Sequence, residues 1–140
     1  GGKLEIPNEH KGDVLDLGFV SVEDKHNAFA AAFALCNPSF FESFSIVIME
    51  SWLAKRPVLV SEQCEVTANF CRESNGGLYF NSYNIFEACL DYMLDNREIS
   101  DLMGKNGYKI VRNNYIKEVI QKKYQLFLCK DCEDGKENEK

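Results

Sequence analysis

The chain has 140 residues, 45% of them hydrophobic and 27% charged, and a formal net charge of −6. That size suits one domain with a real core, and the acidic balance argues against nucleic acid, whose binders carry a basic face. No apolar run reaches the roughly 18 residues that a membrane-spanning helix needs, and the polar, Gly-rich start is not a signal peptide.

Short apolar runs alternate with helical stretches along the chain. Residues 14–20 read as a buried strand and residues 23–33 as a helix. Residues 34–37 give a short strand stopped by Pro38. A helix takes residues 45–54, with Ser43 and Ser45 both good N-cap types, and residues 57–61 form the next strand. A short helix is expected over 65–72, then a strand over 77–80 after the Asn75-Gly76-Gly77 turn. Helices follow over 84–94, 98–112 and 116–128, and the charged stretch 129–140 reads as a disordered tail. The domain thus covers 1–128. Short apolar strands joined by helices predict an α/β fold with a parallel sheet and right-handed crossovers. In such sheets ligands bind at the carboxyl ends of the strands.

The helix over 45–54 carries Ile46, Val47, Ile48, Met49, Trp52, Leu53 and Ala54, which leave it no solvated face, so burial is expected. Glu50 lies inside it, and burying a carboxylate without partners is costly. Glu50 therefore either has a fixed protein partner or lines a polar cavity meant for a ligand, and spacing alone leaves both open. A second acid, Glu42, precedes the helix, with seven residues between the two. The first helical turn offers free backbone N–H groups and the positive end of the helix dipole, which together attract an anion. Glu42 stands in the loop beside that point, and Glu50 lies about 7.5 Å further along the axis. An anion flanked by two carboxylates describes a sugar nucleotide, its diphosphate on the amides and its hydroxyls on the carboxylates.

The string PSFFESFSIVIMESWLAKRPV (residues 38–58) resembles the Glu-x7-Glu signature of retaining glycosyltransferases of family 4 (group 1), with the GT-B fold. VLDLGFV (14–20), RPVLVS (56–61), GGLYF (76–80) and MGKNG (103–107) with Tyr115 are similar to further segments of that family's donor domain, in the same order. The resemblance covers residues 13 to 124. It implies a Rossmann-like parallel sheet flanked by helices, part of the C-terminal, nucleotide-sugar-binding domain of a GT-B enzyme. It also implies an enzyme of polysaccharide biosynthesis that moves a hexose from a UDP- or GDP-sugar to an acceptor hydroxyl without a metal or other cofactor. Glu42 would be the catalytic residue, holding the transferred sugar's hydroxyls near the reacting carbon. Glu50 would hold the ribose diol, and Ser43, Phe44, Ser45 and Ile46 would line the donor's diphosphate, mainly through backbone amides. The family pattern has a further strand-helix unit or two, a basic pair gripping the diphosphate, and an acceptor domain before the part seen here. The chain then corresponds to a fragment that is inactive alone, with a carbohydrate or lipid-linked acceptor bound elsewhere. The whole would be cytoplasmic or peripheral at the inner face of a membrane. One departure concerns Ser43 and Ser45, where the family often has Gly on both sides of the Phe. A regulatory module that binds the nucleotide sugar without catalysis, and an interaction domain with a decayed site, are the alternatives.

Of the six cysteines, Cys36 and Cys89 fall in apolar periodic segments and are expected in the core. Cys64 and Cys71 flank the 65–72 helix, and neither a disulfide nor a metal is expected there. Cys129 and Cys132 have CxxC spacing but no second pair, short of the four ligands of a zinc site. His10 and His26 lie in polar stretches and are read as surface histidines. Trp52 is read as core rather than a sugar platform, and Lys55 and Arg56, which could approach the donor phosphates, are read as facing solvent because they stand between helix and strand. Glu62 and Glu65 sit near the ligand edge; Glu65 could touch the donor, but the plainer reading is a solvated loop acid. No Asp-x-Asp pair stands in a credible metal position, and Asp131 and Asp134 fall in the tail.

Overall fold

A computed structural model describes residues 6–115. The expected helix over 116–128, the tail with Cys129 and Cys132, and the Gly1-Gly2-Lys3 opening lie outside the described residues. Three parallel strands form the sheet: β1 (Leu35–Asn37), β2 (Val58–Ser61) and β3 (Gly77–Phe80), in the order β1-β2-β3. Leu35 pairs with Val58 and Val58 with Gly77, so all three strands end together at Asn37, Ser61 and Phe80. Five helices flank the sheet: α1 (Val22–Ala31), α2 (Ile46–Leu53), α3 (Glu65–Ser74), α4 (Tyr83–Asp95) and α5 (Arg97–Asn114).

Local chemistry explains most of these boundaries. Ser21 opens α1 by accepting the amide of Asp24, and Ser82 opens α4 by accepting that of Ile85. Asn75 ends α3 in the left-handed region at φ 50°, which Asn tolerates, and Gly76 turns the chain into β3. β2 is the central strand, and all four of its residues are buried, as a near-continuous apolar run between two neighbours should be.

The core gathers Ile48, Met49 and Trp52 of α2 with Val58, Val60, Cys71 and Val111, and Leu35, Phe70 and Tyr115 pack onto it. α2 lies against α5 at a close approach, because a Cβ on Gly104 would meet the Lys55 carbonyl oxygen at 2.1 Å. A Cβ on Gly107 would meet the Trp52 ring at 2.2 Å.

The strand expected over 14–20 is absent. Val14, Leu15, Leu17, Phe19 and Val20 are exposed, Gly18 turns at φ 56°, and its amide donates to the Asp16 carboxylate at 2.9 Å. The segment has no hydrogen-bonded neighbour in the sheet, and an apolar run without a partner edge is not a strand. α2 also has a solvated side, contrary to expectation: Ile46 and Leu53 are exposed, and Glu50 is partly so. They lie at i, i+4 and i+7, one stripe of the helix, and that stripe faces away from the sheet and α5.

The cysteines divide differently from the periodicity. Cys36 is exposed because it sits on an edge strand, Cys89 is half-buried on α4, and Cys64 and Cys71 are buried. All four are free thiols. Burial pushes the Cys71 thiol up to about 12, so it stays protonated and inert at neutral pH.

Candidate functional site

Both motif acids follow β1, Glu42 in the loop at its carboxyl end and Glu50 within α2. Asn37, the last residue of β1, fixes the loop before α2. Its side-chain amide donates to Glu42 Oε1 at 3.3 Å and to Ser45 Oγ at 3.1 Å, while its Oδ1 accepts the Ser39 amide at 3.1 Å. Phe44 anchors the same loop from the other side, its ring edge-on to Phe70 at 5.7 Å and to Tyr115 at 5.3 Å. The backbone amide of Glu42 meets the Cys64 thiol on the loop after β2. Burial acts to raise the pKa of that thiol. Hydrogen bonds from the Thr67 hydroxyl and from the amides of Thr67, Glu42 and Val66 outweigh it and hold the thiol below its ordinary value.

Ser45 stands at the N-cap of α2, but it does not cap through its side chain. Its backbone is left-handed, φ 57° and ψ 72°, and its hydroxyl is turned to Asn37. A non-Gly residue in that region costs about 1–2 kcal/mol. This is the position where the resembled family often has Gly, which adopts the conformation without that cost. The first turn closes with the Ile48 amide on the Ser45 carbonyl at 3.1 Å. Among the described residues the amides of Ile46 and Val47 have no acceptor, so two donors stay free at the positive end of α2.

The two acids line different hollows, Glu42 one beside the loop before α2 and Glu50 one along the second half of that helix. Glu42 and Ser43 border one of about 460 Å³, together with Phe40, Phe41, Cys64 and Glu65. Glu50 borders the other, about 370 Å³, between α1 and α2, with His26, Asn27, Phe29 and Leu53. Glu50 has a protein partner as well: Lys25 Nζ of α1 lies 2.5 Å from its Oε1. Neither Lys25 nor Asn37 was singled out from the sequence as a site residue. The available signal for Lys25 was that it is the sole Lys or Arg between residues 21 and 54.

Lys55 and Arg56 lie at the opposite end of α2 from its free amides. Lys55 sits over the Tyr108 ring, and the Arg56 guanidinium donates to the Ala30 carbonyl. Glu62 takes an Asn81 amide at 2.9 Å and pairs with Arg72, as does Glu65. His10 and His26 are exposed, and Trp52 is fully buried. Among the described residues no group of three or more His, Cys, Asp and Glu side chains is arranged to hold a metal, and no helix is long and apolar enough to cross a membrane.

The family model described as Glycosyl transferases group 1 matches residues 8–110. Comparison with curated proteins and with solved structures gave no significant match.

Proposed function

The chain belongs to the group 1 glycosyl transferases, and on that premise we propose that it forms the nucleotide-sugar-binding part of a retaining, family 4 enzyme with the GT-B fold. The observation that carries this reading is the pair of free amides at Ile46 and Val47, with Glu42 in the loop just before them and Glu50 further along the same helix. The diphosphate of a UDP- or GDP-sugar sits at the amides of Phe44, Ser45 and Ile46, which stabilise charge as it departs. Glu42 accepts hydroxyls of the transferred hexose near its reacting carbon. Glu50 accepts the ribose diol. Neither acid is a covalent nucleophile; the reaction runs on one face of the sugar, the leaving phosphate helping to deprotonate the acceptor. Metal-independent transfer, a carbohydrate or lipid-linked acceptor held by a separate domain, and a cytoplasmic or inner-face location belong to the same proposal.

The Lys25–Glu50 pair favours one rival, a Glu50 that serves structure alone. An amide NMR titration with UDP, GDP and ADP to millimolar concentration separates the two. Selective shifts at residues 44–47 and around Glu50 are expected for one base, and Glu50→Gln should weaken that binding by about tenfold, near 1.4 kcal/mol. Binding that Glu50→Gln leaves unchanged, or shifts confined to other faces, would remove this reading.

A further inference from the structure

Lys25 is placed where a structural ion pair would achieve little. Its side chain is 42% exposed against 20% for Glu50, and a pair that open to solvent contributes little to stability. α1 buries none of its residues, so packing does not explain why the pair is made. What the pair does determine is the conformation of Glu50. With Oε1 held by Nζ at 2.5 Å, one rotamer of the carboxylate is favoured over the others open to an acid on a solvated helix stripe. Among the described residues Oε2 has no donor, and Glu50 borders the hollow between α1 and α2. The arrangement is a half-satisfied carboxylate, ordered before any ligand arrives, beside a space lined by Asn27, Phe29 and Leu53. Ordering a binding group in advance lowers the entropic cost of binding.

We propose that Lys25 is a positioning residue for donor recognition: it fixes Glu50 so that the free carboxylate oxygen takes a ribose hydroxyl, making the chain select ribonucleotides over their 2′-deoxy counterparts. This rests on the reading of Glu50 as the ribose acceptor. No bond is made or broken by Lys25. Its role is to hold one oxygen and leave the other to the ligand.

The test compares dissociation constants of the nucleoside diphosphate that the chain binds and of its 2′-deoxy form. The wild-type chain is expected to prefer the ribonucleotide by about tenfold or more, as a site built around a hydroxyl does. Lys25→Met keeps the aliphatic stem and removes the donor. It should cut that preference to about threefold or less while leaving the deoxy affinity unchanged, and Lys25→Arg should restore it. A merely structural Lys25 would weaken both ligands equally, and this outcome, or a preference that Lys25→Met leaves intact, overturns the proposal. Glu50→Gln separates the two levels. If it abolishes the preference and Lys25→Met does not, the role of Lys25 alone falls. If it leaves the preference intact, or if the wild-type chain shows no preference or binds no nucleotide, the reading of Glu50 falls as well. Thermal melts of each variant show whether it is folded.

Discussion

Replacing Trp52 with alanine is expected to cost about 3–5 kcal/mol, the range for removing a large aromatic from a packed core. For a domain whose whole stability is roughly 5–15 kcal/mol, that leaves a substantial unfolded population. Three features put Trp52 at the upper part of the range. It is fully buried, its indole N–H donates to the Gly76 carbonyl at 2.9 Å, and its ring meets Phe70 edge-on at 6.4 Å. Gly76 and Gly107 are glycines because the ring occupies the space their Cβ atoms would need. Collapse around the cavity is therefore limited on those two sides by backbone. Trp52→Phe should be milder, since it keeps an aromatic ring and the Gly76 carbonyl still accepts the Val58 amide at 3.3 Å. Urea denaturation followed by far-UV circular dichroism measures both. A loss below about 1 kcal/mol for Trp52→Ala would mean that the α2–α5 contact is not the centre of the fold.

Glu42→Ala should act on rate rather than on fold. In the active enzyme we expect kcat to fall by about a hundredfold while the donor dissociation constant moves by about threefold or less, the pattern for a group whose contribution grows towards the transition state. The loop should survive the change. Its backbone at Glu42 is tied to the Cys64 thiol, Phe44 is packed among Phe70 and Tyr115, and Asn37 keeps its bond to Ser45. What the substitution removes is the long hydrogen bond from Asn37 to Glu42 Oε1 at 3.3 Å. Steady-state kinetics with a donor-binding measurement separates the two parameters. Equal losses in Glu42→Ala and Glu50→Gln, on affinity alone, would contradict the separate roles given to these acids.

Much of this arrangement was legible before the structure, for identifiable reasons. β3 is expected at its observed bounds because the Asn75-Gly76 turn punctuates the chain just before it, and β2, expected over 57–61, begins one residue later because Pro57 precedes a short β-branched run. The start of α2 was legible too, though not its chemistry. Ser45 was read as a capping side chain and acts instead through a left-handed backbone, which composition does not reveal. Residues 14–20 failed because strand formation is decided by a neighbouring edge, and local hydrophobicity carries no information about that edge. Cys36 failed for a related reason: periodicity gives a face but not whether the strand is central or terminal. Lys25 escaped because its partner is 25 residues away on another helix. The carboxylate was visible as an anomaly, whereas its counter-ion was an ordinary lysine on a polar helix.

α1 has a further consequence for how the molecule breathes. With no buried residue, it is joined to the rest through Lys25 on Glu50, the Arg56 guanidinium on the Ala30 carbonyl, and light packing on α2. Peeling it away exposes little apolar surface, so this helix should open at a free energy well below that of global unfolding. Its amides are then expected to exchange with deuterium ahead of those in α2 and α5. A donor seated against Glu50 would slow that exchange in α1, and protection there without matching protection in α5 would be its signature. Recognition would be felt as the quieting of one loosely held helix on a core that does not move.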